Sequence, residues 1–208
     1  LALSLESPQS PRDVYAIELA TSAVVRYTRS EAGQLDPLQF APAELVRYPT
    51  WDRANGGHRR IPAFVYRPKP GKSPGPHPVL IDIHGGPESQ AIPGFNPFTQ
   101  FLVNEMGFVV ITPNVRGSSG YGKTYLNLDN GDKREDAVKD IGALLVWIGE
   151  QRDLDAKRVF VSGGSYGGYM SLASMVHFGD RLRGGIDVVG ISNFVTFLES
   201  TSAYRRDL

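Results

Sequence analysis

The stretch RVFVSGGSYGGYM, residues 158–170, decides how the rest of the chain is read. An apolar, β-branched run ends at Val161, serines and glycines follow, and a helix-like segment begins at Tyr166. Within it, Gly163-Gly164-Ser165-Tyr166-Gly167 fits G-x-S-x-G, the pattern of a nucleophile elbow. A serine of this kind sits in a sharp turn between a strand and a helix. Gly163 and Gly167 let neighbouring backbone pass where a Cβ would clash. The hydroxyl of Ser165 is then held at the top of a sheet, and the N–H of Tyr166 can face a developing oxyanion. The pattern alone is common by chance. Its setting, strand before and helix after, is what the chemistry requires. The competing reading is a glycine-rich strand-to-helix turn that cradles a phosphate. No G-K-[ST] follows, so it is not a P-loop.

Working outward, apolar runs alternate with helical patterns. PVLIDIHGGP (78–87), GFVVITPN (107–114), RVFVSG (158–163) and RGGIDVVG (183–190) read as buried strands. Helices are expected over 97–106, over 132–151 and from Tyr166 to Phe178. In the second of these, Val138, Ile141, Leu144, Leu145 and Ile148 recur at spacings of three and four, which marks one apolar face. Glu135, Asp136 and Asp140 read as its first turn and solvated face. Short β-branched runs separated by helices predict an α/β fold with a mainly parallel sheet and helices on both faces. Ahead of them, ELVRYPTWD and IPAFVYRP read as a hairpin around RANGGHRR, and KPGKSPGPHP as a surface loop. Residues 1–40 read as β and turn, with strand-like runs DVYAIELA and AVVRYTRS joined near Thr21 and Ser22.

Two further motifs lie at strand ends. His84-Gly85-Gly86-Pro87 ends the first buried run, where this architecture places the second oxyanion donor. The N–H of Gly86, or less favourably that of Gly85, would complete a hole with Tyr166. His84 reads as a hydrogen-bonded residue that shapes this loop rather than as a base. PNVRGSSGYG (113–122) follows the next buried run, on the sheet edge where open α/β sheets bind ligands. Arg116 in it reads as a structural partner of a helix acid, with substrate binding as the alternative. His58, His77 and His177 are isolated, the first two in loops and the third on a helix, and none has metal-ligand spacing to a second ligand. Trp51 and Trp147 read as packing residues.

Composition narrows the function. The 208 residues carry 22 basic and 22 acidic side chains, so no net charge argues for nucleic acid or an anionic membrane. No apolar run approaches the roughly 20 residues of a membrane span. There is no cysteine, which removes thiol catalysis, thiolate metal sites and disulfides. A reducing compartment fits, and a cytoplasmic location is expected. No metal and no cofactor is expected. The start, LALSLESPQS, resembles neither a native N-terminus nor a signal peptide and reads as a chain entered partway.

HGGP, NVRGSSGYG and GGSYGGYM, in this order and spacing, closely resemble the prolyl oligopeptidase family of serine peptidases, on its acylaminoacyl-peptidase and dipeptidyl-peptidase branches. The resemblance covers about residues 42–208. It implies an α/β-hydrolase fold over residues 41–208, incomplete at its C-terminal end, with residues 1–40 as the last strands of a β-propeller. It implies Ser165 as nucleophile, with Tyr166 and the Gly85-Gly86 loop as oxyanion hole. The dipeptidyl-peptidase branch places a tyrosine hydroxyl where His84 stands, so the likeness leans to the acylaminoacyl-peptidase side. The triad order of this fold is Ser, then Asp or Glu, then His. Only 43 residues follow Ser165, and their one histidine, His177, lies about 18 Å along the helix that starts at the elbow. Asp187 falls one strand too early for the acid. The triad Asp and His, and the last two strands, are therefore expected beyond residue 208 or on a complementary chain. The function expected is a serine peptidase acting on short peptides through an acyl-enzyme. The alternatives are a carboxylesterase on the same fold and a non-catalytic fragment used for assembly. Self-association into a homo-oligomer is left open.

Overall fold

A computed structural model describes residues 1–54 and 56–202. Two sheets form. The smaller is antiparallel, in the order β1 (Ala2–Ser7), β2 (Ser10–Ile17), β3 (Val24–Arg26). Asp13 on β2 is its polar anchor. It accepts from Arg26, from the Thr28 hydroxyl at 2.7 Å and from the Ser30 N–H at 2.9 Å. Three strands stand where two were expected. Leu1, Leu3 and Leu5 alternate with small or polar residues, and the turn at Pro8-Gln9 folds this run back on β2, pairing Ala2 with Ala16 and Ser7 with Ser10. The third strand is also shorter than the sequence suggested, because only residues 24–26 find partners on β2.

The larger sheet has six strands in the order β4 (Ala43–Ala54), β5 (Gly57–Tyr66), β7 (Val109–Pro113), β6 (His77–Ile83), β8 (Leu154–Gly164), β9 (Gly184–Val188). β4, β5 and β7 pair antiparallel; β7, β6, β8 and β9 run parallel. Much of the expected loop over 53–60 is instead paired strand, with Arg53 opposite His58 and Ala54 opposite Gly57. His58 and His77 accordingly lie on strands rather than in loops. Their Nδ1 atoms contact the carbonyls of Thr50 and Gly107, each at 3.0 Å.

Alternation along β6 shows how the sheet is covered. Val79, Ile81 and Ile83 face the larger core with Ile111, Val161 and helix α3 (Asp136–Glu150). Leu80 faces the opposite side with Val110, Tyr66 and Val103 of helix α1 (Pro97–Asn104). Period-two side chains on a sheet buried from both sides give this division. Each fully buried Ile or Val contributes about 1.5–3 kcal/mol. Helix α2 (Lys123–Leu126) is a single turn. Helix α4 (Tyr166–Phe178) packs beside α3 on the larger core, and α5 (Phe194–Ser200) ends the described chain. Helix α1 starts as its sequence dictates, with Pro97 in the first turn and the Asn96 side chain accepting from the N–H groups of Phe98 and Thr99. Its buried Gln100 joins the two sheets. The side-chain oxygen accepts from the Ala41 N–H at 2.7 Å, and the amide donates to the carbonyls of Pro8 at 2.9 Å and Ala41 at 3.0 Å.

One expectation about α3 fails. Val138, Ile141, Leu144, Leu145 and Ile148 are buried as the spacing predicted, but Asp140 is buried with them. It is not on the solvated face: it sits three residues after Ala137 and four before Leu144, on the same stripe, and is paired there with Arg116. Trp51 departs as well. It is 47% exposed, and its ring covers the Arg116 guanidinium at 4.6 Å. Trp147 packs against the core as expected.

Candidate active site

Strand β8 ends at Gly164, helix α4 starts at Tyr166, and Ser165 turns the chain between them with φ 56° and ψ −118°. A non-glycine residue in such a conformation costs about 1–3 kcal/mol and persists only where its surroundings impose it. Here the Ser165 N–H donates to the Val188 carbonyl at 2.9 Å, and its carbonyl accepts from the Tyr169 N–H at 3.1 Å. The two flanking glycines are steric necessities. A Cβ on Gly163 would collide with the backbone of Gly167, and one on Gly167 with the carbonyl of Ile83. The result is a serine exposed at the C-terminal edge of the parallel strands.

Strand β6 runs beside β8, with Ile83 level with Gly163, so the loop after β6 emerges next to the elbow. A Cβ on Gly85 would lie 3.3 Å from the Gly164 carbonyl and 3.6 Å from the Ser165 Cβ. Gly86 follows at φ 127°, a conformation only glycine takes without strain. No acceptor among the described residues takes the N–H of Gly86 or that of Tyr166. The latter belongs to the first turn of a helix, whose donors point out along the axis. Ser165, Gly86, Pro87, Tyr166, Arg134 and Phe194 line a cleft of about 1060 Å³.

His84 sits behind this loop. Its Nδ1 is 2.7 Å from the Gly85 carbonyl, and its Nε2 is 2.8 Å from the Ser118 hydroxyl. Burial lowers the pKa of its imidazole, outweighing the opposing pull of the Gly85 carbonyl, and favours the neutral ring. Arg116 does not line the cleft. It is buried, bidentate to Asp140 at 2.8 and 2.9 Å, and 3.0 Å from Asp52. Burial disfavours the charged guanidinium, but hydrogen bonds and charges from Asp140 and Asp52 outweigh this and raise its pKa. His177 lies at the far end of α4 from Ser165, 4.0 Å from Glu135. Asp187 lies on β9 and accepts from the Gly190 N–H at 2.8 Å.

Two residues near the elbow carried no sequence signal. Asp129, from a 3₁₀ turn after α2, is fully buried and accepts from the Tyr166 hydroxyl at 3.0 Å and from Arg134 at 2.6 Å. The Arg134 guanidinium stands 5.4 Å from the centre of the Tyr166 ring. Burial and the Asp129 charge raise the Tyr166 phenol well above its ordinary pKa, so it stays a donor. Asp129 lies in a polar stretch with no periodicity, Arg134 falls in the first turn of the helix expected over 132–151, and no motif spacing selects either. Among the described residues no cluster of His, Cys, Asp and Glu is placed to hold a metal, and no helix is long and apolar enough to cross a membrane.

The comparison with protein families decides the relationship. Residues 93–207, over half of the chain, match the model described as the prolyl oligopeptidase family. The chain belongs to that family. It is 31% identical over 201 residues to dipeptidyl aminopeptidase BIII of Pseudoxanthomonas mexicana, covering 91% of this chain and 29% of that protein. It is 27% identical over 158 residues to the mouse acylamino-acid-releasing enzyme, covering 75% of this chain and 21% of that one. A puromycin-hydrolyzing peptidase of Mycobacterium tuberculosis superposes with a TM-score of 0.86 at 22% identity, over 99% of this chain and 32% of that structure. The likeness establishes the α/β-hydrolase fold of the larger sheet. The chain spans less than a third of the length of each of these relatives.

Proposed function

We propose that the chain carries the nucleophile and oxyanion hole of a serine peptidase acting on short peptides. In this reading, residues 1–40 close a propeller-like domain and residues 41–208 belong to the catalytic domain. The observation that carries the proposal is Ser165, exposed in a strained elbow, with the unengaged N–H groups of Tyr166 and Gly86 beside it in one cleft. The Ser165 oxygen attacks the scissile carbonyl, and its proton passes to a histidine base. The carbonyl oxygen becomes the tetrahedral oxyanion held by the two N–H donors, each worth about 10²–10³ in rate. Collapse breaks the C–N bond, the protonated histidine returns the proton to the leaving amine, and the acyl group remains on Ser165. Water then repeats the sequence and frees the acid. A serine hydroxyl is a weak nucleophile without that base. His58, His77, His84 and His177 are all engaged elsewhere in the fold. The base is therefore assigned to chain outside residues 1–208, and its acid is expected there too.

Fluorophosphonate labelling read by intact mass tests this. In the natural gene product one phosphonyl group should add to Ser165, and Ser165→Ala should abolish labelling and lower peptidase kcat by at least about 10³-fold. Residues 1–208 alone should stay unlabelled. An unlabelled gene product would sink the proposal. Labelling accompanied by hydrolysis of aryl esters but of no peptide would turn it into a carboxylesterase.

A further inference from the structure

Tyr166 serves the proposed mechanism through its backbone N–H, yet its side chain is tied down separately. The residue lines the cleft with Ser165 and is 2% exposed. Tyr169, one turn further along α4, packs on the ring with centres 5.6 Å apart, and Phe194 stands edge-on to Tyr169 at 4.8 Å. Aromatic pairs tolerate separations of about 4.5–7 Å, so these contacts alone leave the ring latitude. The phenol end supplies the missing constraint. Its hydroxyl is 3.0 Å from one carboxylate oxygen of Asp129. Arg134 reaches the same oxygen at 2.6 Å, and a guanidinium can only donate. Its charge favours a bare oxygen there, and the single phenol proton goes to it. A hydroxyl whose proton is spent inside the fold does not also donate to an oxyanion or a substrate carbonyl. The side chain is therefore a wall of the cleft, held at Cα by the elbow and at its oxygen by Asp129.

The surroundings of Asp129 keep it in place. It ends the 3₁₀ turn Asn127–Asp129, is fully buried, and its second oxygen has no partner among the described residues. Gly117, at φ 91°, makes room for it: a Cβ there would fall on the carboxylate. An unpaired buried oxygen is destabilising, so stability alone gives no reason to keep this carboxylate. We propose that Asp129 is a positioning residue for substrate selection: it pins the Tyr166 hydroxyl, so that the ring forms a wall of fixed shape against the residue that acylates Ser165. This rests on the assignment of Ser165 and its cleft made above.

The test uses the natural gene product, with Ser165→Ala as control, and dipeptide p-nitroanilides that differ only in an apolar residue next to the scissile bond. The readout is the ratio of kcat/KM between the best and the worst cleaved of the series. A loss of folded or active enzyme cancels in that ratio, whereas a change in the wall does not. Asp129→Leu removes the acceptor and Tyr166→Phe the donor, and each should lower the ratio about 5- to 10-fold. Together they should do no more than either alone, because both break one bond. Asp129→Asn keeps a carbonyl oxygen for the phenol and should retain most of the ratio. If Asp129→Leu does not fold, Tyr166→Phe decides by the same ratio. An unchanged ratio in the folded variants would overturn the proposal. So would losses that multiply in the double variant, or an Asn variant as indiscriminate as the Leu one. An active Ser165→Ala would instead remove the assignment on which the proposal rests.

Discussion

Asp140 and Asp129 are both fully buried carboxylates facing an arginine, and they are built differently. Each oxygen of Asp140 accepts two hydrogen bonds: one takes Thr50 and Arg116 Nη2, the other the Arg116 backbone N–H and Nε. Asp129 places both its bonds, from Tyr166 and Arg134, on one oxygen. Its other oxygen is buried against Gly117 without a partner. The saturated cluster joins β4, α3 and the loop after β7, away from the cleft. The incomplete one bonds the Tyr166 hydroxyl, and its Arg134 lines the cleft with Ser165. A buried unpaired oxygen costs about 1–3 kcal/mol, and such costs gather where a fold serves a site rather than its own stability. The pair therefore separates scaffold from site.

The largest effect should come from breaking the saturated cluster. Arg116→Leu leaves Asp140 with a buried negative charge and no cation, while Asp52 keeps Arg59, and urea unfolding should show a loss of about 3–5 kcal/mol. Arg116→Leu combined with Asp140→Leu should recover most of it, because an apolar pair of similar volume removes both desolvation costs. A loss below about 1 kcal/mol in the single variant would mean that Asp140 takes up a proton at no cost, and the contrast with Asp129 would collapse.

A smaller effect, dependent on pH, should appear at Asp129. Burial raises this carboxyl above its ordinary pKa, although Arg134 and Tyr166 oppose the shift. The sign follows from linkage. A group with a raised folded pKa contributes stability that is fully present below the unfolded value near 3.8 and is lost as pH rises through the folded value. Asp129→Asn cannot titrate. Its melting temperature relative to wild type should therefore climb from acid to neutral pH, by on the order of 2–4 °C. A constant difference across that range would show that Asp129 titrates alike in the folded and unfolded chain.

What the sequence disclosed follows the range of the interactions. The elbow was legible because Gly163, Ser165 and Gly167 do their work within five residues, and the core stripe of α3 because its period is local. Asp140 was misread although it lies on that stripe. A carboxylate among apolar residues looks solvated until its cation is known, and Arg116 lies 24 residues away, with Asp52 64 residues from that arginine. Asp129 was invisible for a related reason: its partner Tyr166 is 37 residues distant and brought near only by the parallel sheet. Strand β1 was passed over because its alternation needs β2 to have a meaning.

The smallest effect belongs to Trp51, and it tests whether the saturated cluster is sealed as well as bonded. The indole covers Arg116 at 4.6 Å and Lys139 at 4.7 Å. Cation–π pairs contribute about 0.5–1 kcal/mol when exposed and about 2 when the cation is desolvated. Arg116 is buried and Lys139 is half-exposed, so most of the interaction should belong to the arginine. Trp51→Leu keeps an apolar cover and removes the ring, and should cost about 1 kcal/mol. In the Arg116→Leu background the same change should cost about half as much or less, because the cation it covered is gone. A double-mutant cycle measures that difference, since the two residues touch and their effects cannot add. Equal costs in both backgrounds would place the ring's contribution with Lys139 or with packing. Arg116 would then owe its stability to its carboxylates alone.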